Sequence, residues 1–265
     1  MTTLMTNGAA RPRDSISTAI KAAAASGRPA VVGFMTAGFP DRTHFAQDLR
    51  AIATEADVVE IGVPFSDPMA DGATIQRASF ASLQGGFTLT WLLNELAAME
   101  PRPQAPLLLM SYLNPLLAFG LERLPEAARK AGVSGFIIPD LPYEESADMR
   151  AALDRVGIAL VQMVTPVTPD ARLKMLCAAS QGFVYAVTMT GTTGKSVAVP
   201  DEVLEYMDRV KSMSPVPVCA GFGIRTVEHV TRMQGHVDGV VVGSALVEVL
   251  ERGEDPAKFL HGLKP

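Results

Sequence analysis

Eight short apolar, β-branched runs, separated by stretches with apolar residues at helical spacing, predict an α/β chain folded as a closed (β/α)8 TIM barrel. A third observation makes the sheet parallel: the runs are apolar continuously, not alternately, so both of their faces are buried under helices. Eight such β-then-α units need about 250 residues, and the chain has 265. An open doubly wound sheet is the competing arrangement. Its usual G-x-G-x-x-G after the first strand is missing, because Gly33 and Gly38 lie five apart around Phe34-Met35-Thr36-Ala37.

Taken in order, residues 1–13 are expected to form a flexible arm and 14–265 a single barrel domain, since no linker or composition shift interrupts 30–260. Asp14 or Ser15 opens an alanine-rich extra N-terminal helix to about Ser26, placed to cover the barrel bottom. The first strand, Ala30–Thr36, leads to a helix with Phe45, Leu49, Ile52 and Ala53 on one face. Val58–Ile61 is followed by a helix carrying Leu92, Leu93, Leu96 and Met99, then by Pro106–Met110, Gly135–Ile138 and Ala159–Val164. Asp170 is placed to cap a helix with Leu173, Leu176 and Cys177. After Phe183–Val187, Pro200 and Asp201 announce a helix over Glu202–Met213; after Val216–Ala220, Thr226 precedes one over Val227–Met233; Gly239–Val242 closes the set.

A composition of 48% hydrophobic and 19% charged residues fits a well-filled core and excludes a disordered chain. With 23 basic and 28 acidic side chains, net −5, there is no basic field to draw nucleic acid or an anionic membrane, so neither partner is expected. A phosphorylated substrate would need a local site. Cys177 and Cys219 lie 42 apart with no C-x-x-C, which fits a reducing, cytoplasmic setting. No apolar run reaches the roughly 20 residues of a membrane span, and Arg11, Pro12, Arg13 and Asp14 interrupt the place of a signal peptide's apolar core. His44, His229, His236 and His261 show no paired spacing, so no metal site is expected.

In such barrels, chemistry gathers at the carboxyl ends of the strands. The densest such segment follows the second strand, from Glu60 to Gly72. Glu60 lies among Val58, Val59, Ile61 and Val63, where burial would raise its pKa toward neutrality and suit it to acid–base work. The same position also fits a structural glutamate satisfied by a backbone or lysine partner. Asp67 and Asp71 read as loop carboxylates that are turn formers, caps or, with Glu60, a functional cluster. The run Gly191-Thr192-Thr193-Gly194-Lys195-Ser196 resembles the end of a phosphate-binding P-loop, but Met189 stands where that motif needs its first glycine. It reads better as a Gly/Thr loop that closes over a ligand, or as a plain surface loop. Gly221-Phe222-Gly223 and Gly243-Ser244 end the seventh and eighth strands, the two loops that recurrently bind phosphate in these barrels.

These residues carry a resemblance. The segment Val59-Glu60-Ile61-Gly62-Val63-Pro64-Phe65-Ser66-Asp67-Pro68-Met69-Ala70-Asp71-Gly72 closely resembles the signature of the tryptophan synthase alpha chain family. So do Phe34-Met35-Thr36-Ala37-Gly38, Pro139-Asp140-Leu141-Pro142 with Glu144-Glu145-Ser146, Gly221-Phe222-Gly223 and Gly243-Ser244-Ala245, in the family's order. The resemblance implies retro-aldol cleavage of indole-3-glycerol phosphate to indole and glyceraldehyde 3-phosphate, without a metal or organic cofactor in this chain. By the same resemblance Glu60 is the acid–base glutamate, Asp71 accepts a hydrogen bond from the indole N–H, and Tyr185 faces the substrate. Phe34, Ile137 and Phe222 would wall the indole ring; Gly194, Gly223, Gly243 and Ser244 would hold phosphate; Thr193 would fold toward the catalytic aspartate on closure.

The resemblance also implies a partner, a pyridoxal-phosphate beta chain that receives indole through a tunnel in an αββα complex. The loop from Pro64 to Asp71, with Asp67 and Pro68 exposed, and the Asn114-Pro115 segment would face it. Two departures fall in the sixth loop, where Met189 replaces a frequent arginine and Thr192 a valine, and these bear on loop closure. The last helix, near Leu263, is expected to be shorter than in many relatives. Two alternatives remain at this point. One is a catalytically silent barrel that activates the beta chain, against which Glu60, Asp71 and Tyr185 are intact. The other is a phosphate-binding isomerase or synthase barrel, which would need a lysine or cysteine at a strand end. Lys174, Lys195, Cys177 and Cys219 offer no such pair, and Cys219 reads as a small buried hydrophobe.

Overall fold

A computed structural model describes residues 11–188, 199–221 and 223–265. Eight strands, β1 (Ala30–Thr36), β2 (Val58–Gly62), β3 (Leu107–Met110), β4 (Val133–Ile137), β5 (Ala159–Val164), β6 (Val184–Val187), β7 (Val218–Gly221) and β8 (Gly239–Val242), pair in chain order into a closed barrel. Every pairing is parallel, and β8 closes on β1 from Ala30↔Gly239 to Gly33↔Val242. Three of the eight expected runs coincide with their strands, and the others differ by one or two residues at an end, where hydrogen bonding and composition part company.

Side-chain alternation explains why the runs are apolar without a break. Val31, Met35, Val59 and Ile61 point outward into one core shared with the helices, whereas Ala30, Val32, Val58, Leu108, Ile137 and Cys219 point inward. The inward cluster is completed from below by Ile16 and Ile20 of α1 (Pro12–Ala25), both fully buried. Gly135 and Gly182 leave the space that Ile16 occupies: a Cβ on either would stand 3.1–3.2 Å from its side chain. The extra helix therefore plugs the amino end of the barrel and leaves the carboxyl end open. It starts at Pro12, two residues before the expected Asp14, because proline suits the first helical turn and Asp14 reaches back to accept the Arg11 N–H at 3.2 Å. Residues 1–10 of the expected arm lie outside the described residues.

The outer helices include α2 (Phe45–Glu55), α3 (Ala73–Gln84) and α4 (Leu89–Ala98), the last two both between β2 and β3. Between β3 and β4 come α5 (Leu113–Phe119) and α6 (Leu124–Lys130); α7 (Ala147–Arg155) and α8 (Asp170–Ala179) follow β4 and β5. The circuit ends with α9 (Asp201–Met213), α10 (Val227–Met233), α11 (Ser244–Glu251) and α12 (Pro256–His261). Asp170 does not cap α8, as the sequence suggested. Pro169 holds the extended capping position and Asp170 falls in the first turn, where its charge still faces the positive helix end. Among the described residues no helix is long and apolar enough to cross a membrane.

Candidate active site

Alternation on β2 decides where the first candidate points. Val59 and Ile61 face the helices, so Glu60 and Gly62 face the barrel interior, level with Phe34 and Thr36 of β1. Glu60 is 1% exposed, and among the described residues neither of its carboxyl oxygens has a hydrogen-bond partner. Among those residues, no backbone or lysine group plays the part that a structural glutamate would need. Burial, reinforced by the charge of Asp71, lifts its pKa from 4.5 to about 8. Such a group holds a proton at neutral pH and exchanges it readily.

Asp71 comes from the loop between β2 and α3 and stands close enough to act on Glu60. Its N–H donates to the Pro68 carbonyl at 3.1 Å and its carbonyl accepts from Gln76 Nε2 at 2.8 Å, which fold the loop back over the barrel mouth. Burial raises its pKa to about 6, against the opposing pull of the Tyr112 hydroxyl. At pH 7 the two carboxyls thus occupy opposite states, Glu60 protonated and Asp71 ionised, the separation that assigns acid and base roles in a paired site.

Tyr185 lies on the inner face of β6 against Phe183, with ring centroids 6.1 Å apart. Gly221 on β7 makes its space, since a Cβ there would stand 2.7 Å from the tyrosine ring. Burial and the nearby Glu60 drive its phenol well above its ordinary range, so it acts as a neutral hydrogen-bonding group. Phe34 sits higher in the barrel with Phe39, Ala78 and Val247, and Gly62 accommodates it: a Cβ at 62 would come within 2.5 Å of Cζ. Ile137 is fully buried on the inward face of β4. Met110 touches both of these clusters; it ends the β3 run and was passed over because a strand-terminal methionine carries no charge or motif.

At the far side of the mouth, Gly223 takes a positive φ of 66° with open space at its Cβ position. Gly243 caps α11 and Ser244 begins it, so backbone N–H groups of an eight-residue helix start where the sequence placed a phosphate. Thr193, Gly194 and Phe222, with the Met189 and Thr192 departures, lie outside the described residues. Among the expected partner-facing residues, Asp67 and Asn114 are exposed. Pro64 and Pro68 correct the expectation. Pro64 is buried directly after Val63, whose N–H donates to the Met110 carbonyl at 2.8 Å, and Pro68 is half-buried because its carbonyl is tied to Asp71. Met69 takes the outer position instead, at 87% exposure.

Tyr112 was missed entirely. It is 5% exposed, packs on Phe65 at 5.3 Å and accepts the Ala70 N–H at 2.8 Å. Its place two residues after β3 was the available signal. Both cysteines are buried thiols; that of Cys219 is pushed far up by burial and packs against Gly239. Among the described residues, no three His, Cys, Asp or Glu side chains group to hold a metal ion.

A family profile described as tryptophan synthase alpha chain matches residues 20–263. A tryptophan synthase alpha chain from Nitratidesulfovibrio vulgaris is 43% identical over 242 residues, 91% of this chain and 94% of its own. Among solved structures, tryptophan synthase from M. tuberculosis in an aminoacrylate-bound form superposes with a TM-score of 0.84 at 31% identity, covering 94% of this chain and 97% of that one. A tryptophan synthase complex from Pyrococcus furiosus gives 0.81 at 32% identity, covering 89% and 98%.

Proposed function

The chain belongs to the tryptophan synthase alpha chain family, and from that premise we propose how its residues work. Its activity is that of a carbon–carbon lyase in tryptophan biosynthesis, cleaving indole-3-glycerol phosphate to indole and glyceraldehyde 3-phosphate, and it works with a beta chain. The observation that carries the assignment of roles is Glu60, a buried carboxyl with no hydrogen-bond partner among the described residues, raised to about 8 beside an ionised aspartate.

Protonated Glu60 gives its proton to indole C3, forming the C3-protonated indoleninium cation. Asp71 accepts the ring N–H hydrogen bond and stabilises the positive charge that develops on that nitrogen. The Glu60 carboxylate then takes the proton of the glycerol hydroxyl. The C–C bond breaks, its electron pair returns to the ring as indole forms, and the hydroxyl carbon becomes the aldehyde. One proton leaves Glu60 and one comes back, so the chain needs no redox partner, and no metal or organic cofactor of its own is part of this reading. Tyr185 faces the reacting carbons, and Phe34 and Ile137 wall the indole. Gly223, Gly243 and Ser244 supply amide donors to the phosphate, which explains how a chain of net charge −5 holds a dianion.

We further assign Asp67 and Asn114, with Met69 between Asp67 and Asp71, to the face that meets a pyridoxal-phosphate beta chain in a cytoplasmic αββα assembly. The reading in which this chain is a silent activator is disfavoured by an intact Glu60, Asp71 and Tyr185. The test is direct: incubate the chain with indole-3-glycerol phosphate, with and without a beta chain, and measure glyceraldehyde 3-phosphate. Product in either reaction supports the lyase; none in both leaves a silent partner.

A further inference from the structure

Resting on the reading of Asp71 as the indole-facing carboxylate, we propose that Tyr112 is a positioning residue that holds the Asp71 loop in its working geometry. Tyr112 holds Ala70 and packs on Phe65 of that loop while being anchored to a different part of the barrel. Its side chain is 5% exposed, and its ring lies against Phe65 at 5.3 Å. The hydroxyl oxygen accepts the Ala70 N–H at 2.8 Å, a contact spanning 42 residues of sequence. A phenol has one proton. With its oxygen engaged by Ala70, the O–H remains free to donate, and the acceptor beside it is the Asp71 carboxyl. One side chain therefore receives from residue 70 and is placed to give to residue 71.

The anchor is firm because it is made of strand ends. Just before Tyr112, the Ser111 N–H donates to the Ile137 carbonyl at 3.0 Å, and Ser111 Oγ donates to the Tyr112 carbonyl at 2.9 Å. Just after it, the Leu113 N–H donates to Asp140 Oδ1 at 2.9 Å. Tyr112 is thus fixed to β3 and to the loop after β4, and it transmits that position to a loop whose described hydrogen bonds beyond Val63 are otherwise short-range. Glu60 on β2, Tyr185 on β6 and Asp140 after β4 are the other titratable groups acting on this pair. Among the described residues Glu60 makes no hydrogen bond and Asp140 accepts from Leu113, so neither takes over the contact that Tyr112 makes with this loop. Burial alone would keep Asp71 protonated to higher pH, and the Tyr112 hydroxyl opposes it.

The experiment compares wild type, Tyr112→Phe, Asp71→Asn and the double variant. For Tyr112→Phe, kcat for indole-3-glycerol phosphate cleavage is expected to fall about tenfold, with KM within about twofold because the phosphate contacts lie elsewhere. The titration midpoint of Asp71, read from its carboxyl carbon by NMR in the free protein, rises by about one pH unit. In the double variant the Phe substitution adds less than about twofold to the loss from Asp71→Asn. Unchanged kcat and an unmoved Asp71 titration in Tyr112→Phe overturn the proposal, as does a full multiplicative loss in the double variant. If wild type itself yields no product, the lyase reading fails while the Asp71 titration still decides the Tyr112 contact. Should Tyr112→Phe not fold, Asp71→Asn keeps the ring and carries the test: tyrosinate absorbance for Tyr112 moves below its midpoint near 12 if the two groups touch, and stays in place if they do not.

Discussion

Replacing Glu60 with glutamine is expected to stabilise the protein while nearly abolishing cleavage, and the first effect can be sized from where the side chain sits. In the folded barrel this carboxyl keeps its proton up to about pH 8, whereas unfolded it releases it near 4.5. Between those values the folded state binds more protons than the unfolded one, so stability falls as pH rises. Each pH unit is worth 1.36 kcal/mol. The 2.5 units from 4.5 to pH 7 therefore cost about 3 kcal/mol, growing to about 5 kcal/mol above pH 8. Glutamine has nearly the same shape and never ionises; like the neutral acid, it finds no hydrogen-bond partner there, so the desolvation cost is common to both. Urea denaturation of both proteins at pH 4.5, 7 and 9 should give coincident curves at the lowest pH and a gap in favour of Glu60→Gln that widens upward. In parallel, indole release should drop by at least about a hundredfold with phosphate-ligand binding retained. Parallel stability profiles would refute the claim that Glu60 is forced to keep its proton, and undiminished indole release would remove it from the mechanism.

The remaining expectations follow from the same geometry. Because Glu60 must start protonated and Asp71 ionised, kcat/KM in wild type should be bell-shaped, lost below about pH 6 as Asp71 protonates and above about pH 8 as Glu60 ionises. Asp71→Asn should abolish the acid limb and lower kcat by about 10² to 10³ with an unchanged circular dichroism spectrum; a loss of folding would make the residue structural. Gly62→Ala places a Cβ 2.5 Å from Phe34 Cζ in a packed cluster, and should cost about 1–3 kcal/mol in thermal unfolding and raise KM by displacing the indole wall. Leu117, 49% exposed and one helical turn beyond exposed Asn114 on α5, should on conversion to Asp weaken beta-chain binding about tenfold in a pull-down or calorimetric titration, with cleavage by the isolated chain unchanged.

Much of this molecule could be read along the chain because barrel strands are buried on both faces. Ala30–Met35 and Gly239–Val242 are apolar without interruption, and that local property needs no knowledge of what covers them. Glu60 was legible for the same reason: a carboxyl in an apolar run at a strand's carboxyl end is conspicuous wherever the chain goes next. Helix starts were less legible, since Asp170 and Asp14 compete with neighbouring prolines for the same few positions, and local chemistry alone does not rank them.

What escaped the linear reading is pairing across distance. That Glu60 has no hydrogen-bond partner among the described residues, that Gly62 exists to admit Phe34 and Gly221 to admit Tyr185, and that Ile16 fills the barrel from below are statements about atoms brought together by closure of the sheet. Tyr112 is the clearest case. Apart from its place two residues after β3, no motif of its own marks it as functional, and its meaning appears when β2 and β3 lie side by side and its hydroxyl meets Ala70. Periodicity and residue type settle which segments are buried, because hydrophobic burial is a property each residue carries with it; which buried group faces which other group, and hence which carboxyl keeps its proton, is set by the closed barrel.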